Sequence, residues 1–280
     1  MSGMLRHLRS CKNLLIGGII TLAVVCVALL APLLAPYDPI NQADLMHSEE
    51  PPSHTFLLGT DTQGRDILSR VIYGARISLS IGLVTQSLNS LIGILLGLTA
   101  GYFGRWWDDV IMGLTNVMLS IPAMVLALAI MAVLGPGLFN VFLAIGFTNW
   151  SFSCRITRSQ VLAARSLDYV TAARAIGVGR IRIMLTQILP NIVGPILVVA
   201  TLGVAYAILT EASLSFLGLG AQPPTPSWGG MLSTAREQLF TAPWISIFPG
   251  VAIFVTVLGL NLLGDGLRDV LDPRTTRRRR

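Results

Sequence analysis

The chain has a single lysine, Lys12, and only three histidines, His7, His47 and His54, in 280 residues. One lysine excludes a nucleotide-binding P-loop here, because GxxxxGK[ST] needs a lysine to reach the β- and γ-phosphates. The histidines all stand outside the apolar runs, so no Ser–His pair can form within a membrane. No His, Cys, Asp or Glu cluster has metal-ligand spacing. Cys11, Cys26 and Cys154 form no CxxC pair, and Cys26 lies in an apolar run, so neither a disulfide framework nor a zinc site is supported. Charge is scarce as well: 12% of residues are charged, about half the usual ~25% of soluble proteins. The sequence therefore describes a non-enzymatic membrane protein, and any ATP it uses must be bound and hydrolysed by a partner. The net charge of +6 could suggest nucleic acid, but the basic residues cluster at the ends of apolar runs, where membrane orientation needs them. Nucleic-acid binding is excluded on that ground.

What is present is a series of long apolar stretches. Behind a basic tail, residues 1–13, residues 14–36 carry no charge and exceed the ~20 needed to cross a bilayer. A cleaved signal peptide would have an apolar region of roughly 7–15 residues and an A-x-A-like exit. This stretch is longer and ends LLAPLLAP, so a retained first span is expected. Residues 37–76 form a polar extracytoplasmic loop, extended early around Pro39, Pro51 and Pro52. From about Gly64, Ile67, Leu68, Val71 and Ile72 mark one face of an amphipathic lead-in at the membrane surface, with Arg65, Asp66 and Arg70 off that face.

A core of five spans is expected over residues 77–265. Span two, 77–104, carries Gly93, Gly97 and Gly101 in overlapping GxxxG patterns that would admit a close helix, although glycine is also common in membrane helices. Arg105-Trp106-Trp107-Asp108-Asp109 reads as an interfacial turn with aromatic anchors. The uncharged stretch 110–154 is too long for one helix and breaks at Gly135-Pro136-Gly137, giving span three, kinked at Pro122, and span four, 138 to about 153. Span five runs from 191 to about 217, a Gly- and Pro-rich segment then folds back, and span six occupies 245–264 before a basic tail, 266–280. The expectation is an all-α integral membrane protein with six transmembrane helices. With the N-terminus inside, sixteen of the twenty basic residues fall on the cytoplasmic side, leaving Arg65, Arg70, Arg76 and Arg236 outside. That asymmetry places both termini in the cytoplasm.

The polar island 154–190 organises the chain. It holds six arginines against one acid, Asp168, and each arginine would cost roughly 2.5–3.5 kcal/mol at the bilayer centre. It must lie outside the hydrocarbon. Its middle, DYVTAARAIGVG, is a short helix stopped by Gly177 and Gly179, with Pro190 closing the segment: two short helices around a glycine turn. A small-faced helix projecting from a membrane suits another protein's groove. Spacing alone fits a basic loop that only fixes topology equally well.

Ala172-Ala173, Gly177 four residues on, and Leu189-Pro190 resemble the EAA loop of the membrane subunits of binding-protein-dependent ABC importers. The family pattern begins with Glu where this chain has Thr171, and usually carries Ile where it has Gln187; Asp168 lies one turn earlier. GTDTQGRDILSRVIYGARISL and EASLSFLGLGAQPPTPSWGGML resemble the second-permease type of the dipeptide, oligopeptide and nickel importers. The resemblance implies a cytoplasmic coupling helix that seats in an ATPase cleft, with Asp168, Thr171, Ala172, Ala173, Gly177, Leu189 and Pro190 as coupling residues. It further implies a homologous second permease, two ABC ATPases that carry ATP and Mg, an extracytoplasmic binding protein, and no cofactor on this chain. The setting is membrane lipid, in the cytoplasmic membrane of a bacterium or archaeon. Short peptides are the expected solute, since the spans hold no histidine; nickel or another small solute is the alternative. An ion-coupled carrier would place several ionisable groups at the midplane, where this chain offers only Glu211; an assembly factor without transport is not excluded by physics.

Glu211 is the one acid well inside an apolar run. It lies roughly 30 Å beyond Asn191 along a helix, near the outer boundary. With Ser213 and the turn at Gly218 and Gly220 it reads as part of an outer gate. A hydrated interfacial glutamate is the plain alternative.

Overall fold

The computed structural model describes residues 12–271. Arg6, Arg9, Arg274 and Arg277 to Arg280, which supply much of the expected cytoplasmic charge, lie outside the described residues. Helix α1, Lys12–Leu29, breaks at Leu30, and Pro32 sits in the first turn of the short α2, Ala31–Leu34. Proline is tolerated there because the first-turn N–H has no helical partner.

Helix α3, Ile67–Phe103, is one unbroken element of 37 residues. At 1.5 Å per residue it is about 55 Å long, well beyond the ~30 Å hydrocarbon thickness. The expected lead-in and second span are thus one helix. Its N-terminus is fixed by Asp66, whose carboxylate accepts from the Ser69 N–H at 2.8 Å and the Ser69 hydroxyl at 2.6 Å. Arg65, Asp66 and Arg70 are buried, not spread over a wet surface as the sequence pattern suggested. Arg65 Nε donates to Asp61 at 2.8 Å, and Arg70 Nη1 reaches the Pro39 carbonyl at 2.8 Å. The loop 37–66 supplies these partners and so folds down over the helix start. Trp244 Nε1 donates to the Thr60 carbonyl at 3.3 Å and ties the loop to the last helix. On the loop's exposed side, Asp38 accepts backbone N–H groups from Asn41 and Ile40, and Asp44 from Met46. These bonds hold both carboxyls below the usual aspartate value.

Helices α4, Arg105–Ser120, and α5, Ala123–Leu134, meet at an angle of 86°. The expected kink at Pro122 is a full break, with Ile121 extended as the residue before a proline tends to be. The expected fourth span is also divided, into α6, Leu138–Gly146, and α7, Trp150–Ala164. Neither part reaches the ~20 residues a span needs. Then come α8, Asp168–Ala175, and α9, Arg180–Ile183. A π-helical turn, Met184–Ile188, carries α9 directly into α10, Leu189–Phe216. Pro190 therefore does not close the island as expected. Its ring and missing N–H disturb the ladder of the preceding turn, and the wider π turn accommodates them. The segment 217–227 folds back to α11, Trp228–Thr234, and α12, Trp244–Leu271, completes the described chain. Among the described residues, four helices are long and apolar enough to cross a membrane, or five if the bent α4–α5 pair is one span. The all-α membrane class stands, and the count of six spans is not reproduced.

Helix α3 is the axis of the assembly, with α7 and α10 packed against it and α1 laid on α12. A Cβ at Gly93 would stand 2.5 Å from Ser153 Cβ; at Gly97, 2.7 Å from the Cys154 carbonyl oxygen; at Gly101, 2.8 Å from Val161 Cβ. The three glycines form the flat seam on which α7 sits. Large apolar side chains remain outward on α1 and α12, among them Leu22 and Phe254, as lipid-facing helices require.

Candidate coupling and gating sites

Helix α8 has two unlike faces. Val170 and Ala173, one turn apart, are buried in a cluster with Leu98, Tyr102, Ile183 and Ile188. Asp168, Thr171 and Ala172 are exposed, and Ile176 just beyond is 80% exposed. Ala173 thus belongs to the anchoring face, not to the outward surface expected of it. Leu189 is half-buried and Pro190 exposed, in the first turn of α10. Gly177 ends the helix in a left-handed conformation, φ +81°, while the Val178 N–H returns to the Ala173 carbonyl at 3.0 Å. This is the glycine C-terminal cap expected from the sequence. A Cβ on Gly177 would meet nothing within 4 Å, so the constraint there is conformational rather than steric. A helix pinned by one face, with a small-residue face left bare, can seat in a groove and transmit a displacement to α3 and α10.

At the other end of α10, Glu211 is fully buried. Its Oε1 accepts from the Ser215 hydroxyl at 2.6 Å, and Ser227 of the folded-back segment lies beside the same carboxylate. Oε2 has no hydrogen-bond partner among the described residues. Gly220 packs against Ser215, Gly229 against Ala212, and Trp228 Nε1 donates to the Val71 carbonyl at 2.9 Å. The folded-back segment therefore clamps the C-terminal end of α10 to the N-terminal end of α3. Gly218 is exposed in a left-handed turn, and the Ser213 hydroxyl donates to the Leu209 carbonyl of its own helix. Of the residues expected at a gate, Glu211 and Gly220 converge, while Ser213 and Gly218 stand apart. Ser227 was missed by sequence reasoning; its place just before Trp228 in a Pro- and Gly-rich stretch gave no pattern to find it.

Between these ends lies a cavity of about 590 Å³. Its polar lining comes from Gln86 of α3, Asn149 and Ser153 beside or in α7, Tyr206 of α10 and Asn261 of α12. All are uncharged, so the cavity can offer hydrogen bonds without a fixed charge.

Comparison with known proteins gives this arrangement a context. Residues 93–277 match the model of the binding-protein-dependent transport system inner membrane component family, and residues 1–52 that of the N-terminal TM domain of oligopeptide transport permease C. The chain is 47% identical to the di/tripeptide transport system permease protein DppC of Pseudomonas aeruginosa, over 94% of this chain and 88% of that one. It is 43% identical to the glutathione transport system permease protein GsiD of Pectobacterium atrosepticum, over 92% and 86%. Its fold resembles a chain of the MetNI methionine ABC transporter at a TM-score of 0.59 and 17% identity, covering 74% of this chain and 98% of that one. The chain belongs to the binding-protein-dependent transport system inner membrane components and is a permease of the ABC importer class.

Proposed function

We propose that this chain is the second-type permease of an importer of di- and oligopeptides, forming half of the translocation path. The observation that carries the coupling role is the bare outer face of α8, anchored from behind through Val170 and Ala173. Two ATPase subunits hold ATP and magnesium, and one of them receives this face; no catalytic residue is assigned to the chain itself. A homologous permease supplies the other half of the path, and an extracytoplasmic protein delivers the solute. ATP binding closes the ATPases, and the push on α8 passes through its buried cluster to α3 and α10. Glu211 and Ser227 hold the outer mouth shut at rest. The chain sits in the cytoplasmic membrane of a bacterium or archaeon with α8 and both termini inside, a placement supported by the sixteen-to-four basic asymmetry.

Short peptides as the solute are supported by the names of the relatives and by the central cavity, whose lining is uncharged and largely apolar with a few amide and hydroxyl groups set in it. Amide and hydroxyl groups can hydrogen-bond any peptide backbone, and they fix no charge that would hold a zwitterion too tightly to release. The test is uptake by proteoliposomes that hold the purified complex, with its binding protein outside. ATP-dependent accumulation of a labelled dipeptide, competed by glutathione, is the expected result. Nickel uptake without peptide uptake would overturn the assignment.

A further inference from the structure

At the end of α3 the chain turns through two successive left-handed residues, Gly104 at φ +64° and Arg105 at φ +49°. Such a conformation is costly for a residue with a Cβ, and here it brings Arg105 to a cavity of about 750 Å³ between this turn and the coupling segment. Arg105, Arg165, Arg174 and Arg180 line the cavity, Trp106 and Trp107 form part of its wall, and among the described residues no carboxylate lines it. Arg165 Nη1 donates to the Gly101 carbonyl at 2.8 Å, and Arg174 stands 5.2 Å over the Tyr102 ring. Neither contact neutralises a charge. Arg105 and Arg180 have no ion pair among the described residues, and the nearby Asp108 is already held by Arg158 through two bonds of 2.5 and 2.6 Å. Four like charges around one space repel unless an anion joins them.

Depth and chemistry identify the anion. Helix α3 outruns the hydrocarbon layer, so its end reaches the headgroup region. Trp106 and Trp107, 65% and 50% exposed and in edge contact at 5.2 Å, are the side chains that favour that depth. We propose that this cavity binds the phosphate headgroup of an anionic membrane lipid, with Arg105 and Arg180 as its main ligands and the tryptophan pair against the glycerol and upper acyl chain. A partner's carboxylate would use the arginines but would have no need of the aromatic wall. Since Arg174 and Arg180 belong to the coupling segment and Arg105 opens α4, the headgroup staples the coupling segment to the α3–α4 turn. The proposal is independent of the transported solute.

Native mass spectrometry of the purified complex, titrated with phosphatidylglycerol or phosphatidylcholine of matched chain length, tests it. Wild type and Arg182→Gln, which removes one positive charge from the same segment outside the cavity, are expected to retain phosphatidylglycerol preferentially. The Arg105→Gln/Arg180→Gln double variant should lose that preference by about thirty-fold, the effect of two basic residues at the usual attraction to an anionic surface. Excess inorganic phosphate should not displace the lipid. A double variant as selective as Arg182→Gln overturns the proposal, and so does full displacement by phosphate, which would mark a free-anion site. Absence of any phosphatidylglycerol preference in wild type, with loss of ATPase subunits from the double variant, would assign the arginines to the partner instead. Should the double variant fail to fold, quenching of wild-type tryptophan fluorescence by brominated phosphatidylglycerol against brominated phosphatidylcholine decides, and equal quenching refutes the site.

Discussion

Replacing Gly97 with alanine adds one methyl group to the seam where α3 meets α7. The new Cβ would lie 2.7 Å from the Cys154 carbonyl oxygen, 2.7 Å from Thr157 Cβ and 3.0 Å from the Arg158 nitrogen. Comfortable separations begin at ~3.5 Å, so the helices must part by roughly 0.8 Å. Two of the three obstacles are backbone atoms and cannot rotate aside. Overpacking of this kind costs about 1–3 kcal/mol, which at ~2 °C per kcal/mol lowers the melting temperature by about 2–6 °C. Gly113 of α4 is the control, because a Cβ there meets nothing within 4 Å. Alanine is a better helix former than glycine by about 0.5–1 kcal/mol, so Gly113→Ala should melt at or above wild type. The assay is thermal unfolding of the purified chain in detergent, read by size-exclusion recovery after heating. Equal melting temperatures for the two variants would refute the close seam.

Gly177→Glu is expected to leave expression and insertion intact and to uncouple ATP hydrolysis from uptake, since it strains the +81° turn and puts a charge beside the docking face; normal uptake at normal membrane levels would reduce α8 to a topological loop. Glu211→Ala removes the acceptor of the Ser215 hydroxyl and should raise ATP turnover in the absence of the binding protein, with Glu211→Gln milder because an amide keeps one acceptor. Wild-type basal and stimulated rates in both variants would remove Glu211 from the gate. Cysteines placed at the exposed Ser53 and Ser166, in a chain stripped of Cys11, Cys26 and Cys154, should be labelled from opposite sides of the membrane; labelling of both from one side would reject the orientation.

Much of this architecture follows from local composition, and the rest depends on contacts made at a distance. Uncharged runs mark α1, α3, α10 and α12, and Gly135-Pro136-Gly137 marks the break between α5 and α6, where both glycines adopt positive φ. The second break, after Gly146, has no proline to announce it; the Thr148 hydroxyl simply returns to the Ile145 carbonyl at 3.0 Å. The buried Arg65, Asp66 and Arg70 read as surface charges because Arg70's carbonyl partner, Pro39, lies 31 residues away in a loop without periodicity. The inward face of α8 was written in the Val170–Ala173 spacing, but eight residues rich in alanine give too weak an apolar stripe to orient a helix alone. The basic cavity was present in sequence only as scattered arginines, which the turn at Gly104 and Arg105 gathers.

The most direct test of the coupling account is site-specific photo-cross-linking in the assembled complex. A photoreactive amino acid at Ala172 faces outward, whereas one at Ala173 faces the cluster of Tyr102, Ile183 and Ile188. The account predicts an efficient adduct between position 172 and an ATPase subunit, strengthened when ATP closes the nucleotide sites, with only internal products from position 173. No ATPase adduct from position 172, or an equal one from position 173, would contradict the assignment of α8 as the coupling helix.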